Sequence, residues 1–199
     1  GEDETPTLTS IETINVESRG PGANSLNLFN ATGVTTVNVV DNGDDNGALN
    51  IKNVDAATTL IGLKGDQDVS VTLKNSAGTN DLLTTKLNGF TGDLVLGNAI
   101  ERLSINADTA SNFGLKDVGG TLNTVTVTGA ADTTLTSYGA TTYDYTAATG
   151  DSTLIFAAPN ADAATVLFGA GDDVVDFGSF IKAVSDGTAD EVSGGAGFD

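Results

Sequence analysis

Cysteine, methionine, tryptophan and histidine are all missing from this chain of 199 residues. Without cysteine no disulfide can form, so an oxidising compartment is neither required nor excluded. Without histidine or cysteine the commonest general base, the imidazole and thiolate metal ligands, and every Ser-His or Cys-His nucleophile arrangement are lost together. Any catalysis would have to run on carboxylates, lysine, arginine or tyrosine. Basic residues are scarce as well: 8 Lys and Arg stand against 27 Asp and Glu, a formal net charge of −19. Such a surface repels phosphate backbones and anionic lipid and attracts cations, so no nucleic-acid partner is expected. No apolar run reaches the roughly 18 residues that a membrane-spanning helix needs, so no membrane span is expected. The chain is nonetheless not a disordered acidic tail. Its hydrophobic fraction is 39% and its charged fraction only 18%, which is enough apolar side chain to build a core.

What is present is a repeat. Short strand-like pairs recur at Leu26/Leu28, Leu49/Ile51, Val71/Leu73, Leu94/Leu96, Phe113/Leu115, Thr133/Leu135, Leu154/Phe156 and Val175/Phe177. The steps between them are 23, 22, 23, 19, 20, 21 and 21 residues. A second set lies between the first: Ile14/Val16, Val37/Val39, Ile61/Leu63, Leu103/Ile105, Val125/Val127, Tyr143/Tyr145 and Val166/Phe168, with a weaker member near Leu83. Each pair alternates apolar with polar, as in "TINV", "TVNV" and "TVTV", the period of a half-buried strand. Threonine and valine dominate, and their branched Cβ suits strands better than helices. Turn-forming stretches such as "SRGPGANS", "VDNGDDNG", "KGDQD", "TGAAD" and "ATGDS" separate the pairs.

Two strands and two turns in each repeat predict one coil of a β-solenoid. A single coil cannot bury its apolar side chains; stacked coils share one continuous core. The expected fold is therefore all-β, a right-handed parallel β-solenoid (β-helix) of about eight coils, making a rod of roughly 35–40 Å. A β-sandwich is the rival, but sandwich strands are usually longer and less evenly spaced. In the solenoid, Leu28, Ile51, Leu73, Leu96, Leu115, Leu135 and Phe156 are expected to form one buried column. Asn30, Asn53, Asn75, Asn98 and Asp117 each follow the first strand at a fixed offset, which predicts a ladder of stacked amides at a turn. Residues 1–7, "GEDETPT", read as an acidic linker or disordered segment, residues 8–167 as the coils, and residues 168–199 as a distinct end. Helix is expected only over 179–187, "SFIKAVSDG".

The acids gather at one kind of turn. Asp41, Asp44, Asp45, Asp66, Asp68, Asp93, Asp108, Asp132, Asp151, Asp172 and Asp173 are all expected to enter the first strand of a coil. Stacked about 5 Å apart, such carboxylates repel one another unless counter-ions intervene, and a hard divalent cation is their natural partner. For the middle coils a solvated acidic edge is the simpler expectation, with Asp44/Asp45 and Asp66/Asp68 as exceptions. The end of the chain is different. "GGAGFD" (194–199) matches the first six positions of the calcium-binding nonapeptide G-G-x-G-x-D-x-U-x, in which glycines form a tight turn, the Asp supplies charge and U is apolar. "SDGTADEVS" (185–193) keeps Asp190 at position six and Val192 at position eight, and "FGAGDDVVD" (168–176) keeps Gly169, Gly171, Asp173 and Val175. A chain that stops on the Asp of such a unit is expected to be a fragment continued by further coils.

These three motifs resemble the repeats-in-toxin (RTX) class that Gram-negative bacteria export by type I secretion. Over residues 8–170 the texture "LTSIETINVES…GVTTVNVVD…ERLSIN…LNTVTVTG" is similar to the calcium-binding surface-layer proteins of that class. The resemblance implies Ca2+ as the bound ion, with carboxylates from Asp173, Asp190 and Asp199 and carbonyls from Gly169, Gly171, Gly194, Gly195 and Gly197. Asp172, next to Asp173 on the acidic edge, joins the candidate metal set.

Three functions follow as expectations. The first is structural: a segment of a surface-layer (S-layer) subunit that self-associates in a lattice on the cell surface, with cell-surface polysaccharide engaged through parts outside this fragment. The second is a rod segment of a secreted RTX adhesin. The third, a β-helix polysaccharide lyase or hydrolase, needs paired carboxylates or calcium beside an arginine or lysine. Only Arg19 and Arg102 are arginines, and Lys52, Lys74 and Lys116 recur in "IKN", "LKN" and "LKD", a repeat position that reads as architecture. No enzyme activity is expected. Tyr143 and Tyr145 fall in strand-interior register and are expected in the core. A protein that needs calcium to fold can stay unfolded in cytosol and fold after export, so an extracellular location is expected.

Overall fold

The computed structural model describes residues 3–20, 22–40, 47–55, 60–97, 100–157, 164–178 and 190–199. Asp41, Asp44, Asp45, Asn98 and the helix expected over 179–187 lie outside them. Among the described residues there is no helix, and every strand pairing is parallel. The chain is a β-solenoid. Its first sheet has nine strands in chain order: Asp3–Glu4, Asn24–Asn27, Leu49–Val54, Val69–Leu73, Asp93–Leu96, Ser111–Asp117, Thr133–Ser137, Ser152–Phe156 and Val174–Asp176. The second sheet also has nine: Thr13–Val16, Thr36–Val39, Leu60–Gly65, Leu82–Phe90, Arg102–Thr109, Thr124–Gly129, Thr142–Ala148, Thr165–Leu167 and Glu191–Ser193. A two-stranded ribbon joins Leu8–Thr9 to Ala31–Thr32 near one end.

Alternation places the core. In Thr124–Gly129 the valines Val125 and Val127 point in and are buried, while Thr124, Thr126 and Thr128 stay on the outer face. Across coils the inward residues stack in register, as in Leu83, Leu103, Val125, Tyr143 and Val166 on the second sheet. All five are at most 1% exposed. The residue expected near Leu83 is thus a full core member, and Thr85 takes the place of an isoleucine between Ile61 and Ile105. Buried there, Thr85 donates its hydroxyl to the Ser104 carbonyl at 3.3 Å.

The single column expected on the first sheet is not what forms. All seven of its residues are buried, but they belong to different columns. Leu26, Ile51, Val71 and Leu96 make one; Leu49, Val69, Leu94 and Leu115 make another; Phe113, Leu135 and Leu154 make a third. The reason is parity. A shift of two residues between coils keeps every side chain on its own face, so the apolar pattern fixes which residues point in but not which of them meet. Over both sheets the step between registered partners ranges from 18 residues (Thr124 to Thr142) to 26 (Thr165 to Glu191). Turns absorb the difference.

The amide ladder also shifts. Asn53, in the left-handed region at φ 59, donates to Asn27 Oδ1 at 2.7 Å rather than stacking on Asn30. On the other sheet Asn38 donates to Asn15 Oδ1 at 3.0 Å. The recurrent lysines do tie coils together. Lys52 pairs with Asp3 at 3.6 Å, Lys116 pairs with Asp93, and Lys74 donates to the Phe29 carbonyl at 3.0 Å. These ties are solvent-exposed and each contributes little stability, about 0–1 kcal/mol.

Aromatic residues fill the later coils. Tyr143 packs edge-on to Phe156 with centroids 5.4 Å apart, Phe156 stacks on Phe177 at 5.1 Å, and Tyr145 leans on Phe168 at 5.4 Å. Both tyrosines are fully buried, as their register requires. Their hydroxyls differ. Tyr143 Oη and Ser137 Oγ share a hydrogen bond of 2.7 Å, whereas Tyr145 Oη has no partner. Burial pushes the Tyr143 hydroxyl up to about 12, against the Ser137 bond, and burial raises Tyr145 as well, with the charges of Tyr143 and Asp173 adding to it. Tyr143→Phe is therefore expected to cost about 1 kcal/mol, because it leaves the buried Ser137 hydroxyl with only the 3.5 Å bond it accepts from Gly139 N–H. Tyr145→Phe removes an unmet polar atom and is expected to be neutral or stabilising. Urea denaturation of the two variants side by side checks the contrast.

Candidate metal site at the stacked turns

The second sheet feeds the first through a column of tight turns. Where the chain carries "FGAGDD" and "GGAGFD", the two turns lie directly on each other. Ala170 and Ala196 form a parallel bridge; Ala196 N–H donates to the Gly169 carbonyl at 2.8 Å and Gly171 N–H to the Ala196 carbonyl at 3.0 Å. The contact is close enough to demand glycine. A Cβ on Gly197 would sit 1.7 Å from the Gly171 oxygen, and one on Gly171 would sit 2.7 Å from the Gly150 oxygen. Both glycines also have φ in the region that disfavours side chains, +145° and +154°. The stack continues downward without the motif: Ala170 N–H donates to the Ala148 carbonyl, and Thr149 N–H to the Gly129 carbonyl.

Position six of the turn defines an inward-facing polar column. Ser111, Thr133 and Ser152 are registered partners, and Asp173 and Asp199 extend the series. Ser111, Thr133, Ser152 and Asp173 are all buried. Several of these side chains meet a main-chain donor of the coil before. Ser111 Oγ accepts from Phe90 N–H at 3.1 Å, Asp173 Oδ1 from Ser152 N–H at 2.7 Å, and Asp199 Oδ1 from Asp173 N–H at 3.3 Å. Asp173 is left incomplete. It is 4% exposed, and its second oxygen, Oδ2, has no partner. Burial raises its pKa, the nearby Asp199 and Asp151 carboxylates add to the rise, and the Ser152 bonds oppose it. Thr133 Oγ1, two coils earlier in the same column, and Tyr145 Oη are likewise buried without partners.

A second, outward column runs beside it. Asp132 Oδ1 accepts from Asp151 N–H at 3.1 Å, Asp151 Oδ1 from Asp172 N–H at 2.9 Å, and Asp172 Oδ1 from Phe198 N–H at 3.0 Å. Earlier in the rod, Asp68 Oδ1 accepts from Asp93 N–H at 2.9 Å. The acidic edge is thus a staircase in which each carboxylate caps the next coil. Two of the acids expected in turns lie inside strands instead, Asp93 in Asp93–Leu96 and Asp108 in Arg102–Thr109. They pair with lysines there, Asp93 with Lys116 and Asp108 with Lys86 at 2.6 Å.

Of the expected metal set, Gly169, Gly171, Asp172, Asp173, Gly195, Gly197 and Asp199 are brought together by the stacked turns. Gly194 lies beneath the Asp199 carboxylate, where a Cβ would come 2.4 Å from Oδ2. Asp190 is not part of this group. It precedes the strand Glu191–Ser193, at the end opposite the turn, and accepts from Ala164 N–H at 2.8 Å. The motif frame put it at position six, but Asp190 precedes Asp199 by nine residues, about half of a coil, so the two fall on opposite corners. Sequence reasoning missed the hydroxyl column, although "GDS" (150–152) and "GDD" (171–173) share their first two residues and carry the signal.

Among the described residues no three acidic side chains gather where one ion could be held. The turns offer a different donor set, mainly main-chain carbonyls with a carboxylate at position six, and hard oxygens of this kind suit Ca2+. The unmet Asp173 oxygen and the glycine cradle both fit such an ion. Comparison with protein-family models, with curated proteins and with solved structures finds no match for this chain.

Proposed function

We propose that the chain is a structural rod, a segment of a calcium-dependent bacterial surface-layer subunit that self-assembles into a lattice outside the cell. One observation carries this reading: a buried carboxylate oxygen without a partner, on Asp173, inside a stack of glycine turns. An anion held in that state is costly unless a cation or proton meets it. Asp173 and Asp199, with carbonyls of Gly169, Gly171, Gly195 and Gly197, would hold Ca2+ there. The ion would supply the positive charge that lets acidic turns approach each other. The −19 charge and the outward acidic staircase are consistent with export into a calcium-rich medium, where low-affinity extracellular sites fill at about 0.1–1 mM.

The test is a calcium titration of the chelated chain, read by metal analysis and circular dichroism, with lattice formation by the full-length protein imaged at each step. Calcium is expected to bind and to be required for the lattice. Asp173→Asn is expected to weaken binding about tenfold or more, since a tenfold loss is only about 1.4 kcal/mol. Asp132→Asn, on the outer column, is expected to leave calcium binding unchanged. Absence of bound calcium at millimolar concentration would overturn the proposal.

A further inference from the structure

The inward column changes chemistry along the rod. At position six, Ser111, Thr133 and Ser152 present neutral hydroxyls, and a carboxylate first appears at Asp173. Two of the three hydroxyls close on their own turns, while Thr133 Oγ1 stays unpartnered and uncharged. Ser111 accepts from Phe90 N–H and donates to the Thr109 carbonyl at 2.9 Å, and Ser152 Oγ donates to the Gly150 carbonyl at 3.4 Å. The outer carboxylates of the same turns, on Asp132 and Asp151, are capped by main-chain N–H groups of the next coil.

We propose that dependence on the divalent ion begins at Asp173: the coils through Phe156 hold their fold without it, and the strands from Thr165 onward are conditional on it. This rests on the calcium reading above and adds a boundary to it. Before Asp173 no position-six residue carries a charge to be neutralised, and a deep apolar core holds the coils. Beyond Ser152 two carboxylates, buried Asp173 and exposed Asp199, stand one coil apart in line and repel each other. The molecule is a permanent rod with an ion-gated end.

Hydrogen exchange on the whole chain, with calcium and with chelator, reads the boundary directly. On chelation, amides in 165–177 and 191–199 are expected to exchange about tenfold faster or more, while those in 82–156 change less than about twofold. Spread of the chelator effect through Leu82–Phe90 and Arg102–Thr109 would overturn the boundary and leave the calcium reading intact. No bound calcium and no change anywhere would overturn both. Ser152→Asp supplies the second arm, since it carries the carboxylate one coil further. It is expected to bind additional calcium by metal analysis and to extend the chelator-sensitive region into Thr133–Ser152. If it folds with unchanged calcium content, or fails to fold in calcium, position-six chemistry does not set the boundary.

Discussion

Replacing Leu96 by aspartate is expected to unfold the middle of the rod. Leu96 is fully buried and stacked on Val71 in the first sheet. Cutting a buried leucine back to alanine already costs about 2–5 kcal/mol, and an unpaired carboxylate in the same dry space adds its desolvation. The sum approaches or exceeds the roughly 5–15 kcal/mol by which a folded domain is stable at all. No cation neighbours the site from inside, because the basic residues of the first sheet, Lys52, Lys74 and Lys116, lie on its outer side or edge. Far-ultraviolet circular dichroism at 25 °C should show loss of most sheet signal. Leu96→Ala should remain folded with a lower urea midpoint. A folded Leu96→Asp with a wild-type midpoint would mean that the inward column is wrongly placed.

The second large effect belongs to a glycine in the body of the rod. Gly129 has φ +111°, and a Cβ there would meet the Ala107 carbonyl oxygen at 2.3 Å. The obstacle is main chain, part of the coil beneath, and cannot swing aside as a flexible side chain would. Gly129→Ala should therefore cost about 3 kcal/mol from strain and forced separation of two coils. For a chain of this length that corresponds to a fall in Tm of roughly 6–12 °C. Gly120 is the control. Its φ is +66°, yet nothing lies within 4 Å of the Cβ it would gain. Gly120→Ala should cost only the backbone term, about 1 kcal/mol. Equal losses in scanning calorimetry would show that coil-to-coil approach is not what Gly129 serves.

The solenoid was legible because its signal is physical and repeated. Alternation in "TVTV" and "TINV" marks the inward face wherever it occurs, and turns must fall between strands that run the same way. Registration was not legible, because Leu94 can meet Val69 or Val71 without any residue changing faces. Only the packing of whole turns chooses between them. The glycine turns were readable from "GGAGFD" and "FGAGDD", since few other needs concentrate glycine with an acid. Asp190 falls at the opposite corner because each nine-residue unit covers only about half of a coil, so equal positions of successive units alternate between corners. The hydroxyl column escaped because serine and threonine are common in any turn-rich sequence. Their role appears only when Ser111, Thr133 and Ser152 are seen to stand in line with Asp173.

Among the described residues every pairing between coils runs parallel, and the hydrogen bonds joining them point along the rod. A pull on the two ends therefore stretches those bonds head-on, one ladder at a time, instead of shearing many at once. Each coil that yields would free about 20 residues, or roughly 70 Å of extended chain, before the next takes the load. Release should start at the two ends, where the ladders are shortest: the two-residue strand Asp3–Glu4 and the three-residue strands Val174–Asp176 and Glu191–Ser193. The nine-residue strand Leu82–Phe90 should give way late. Drawn out under force, the molecule would behave as a ratcheted tether, lengthening coil by coil from its ends while its middle stays coiled.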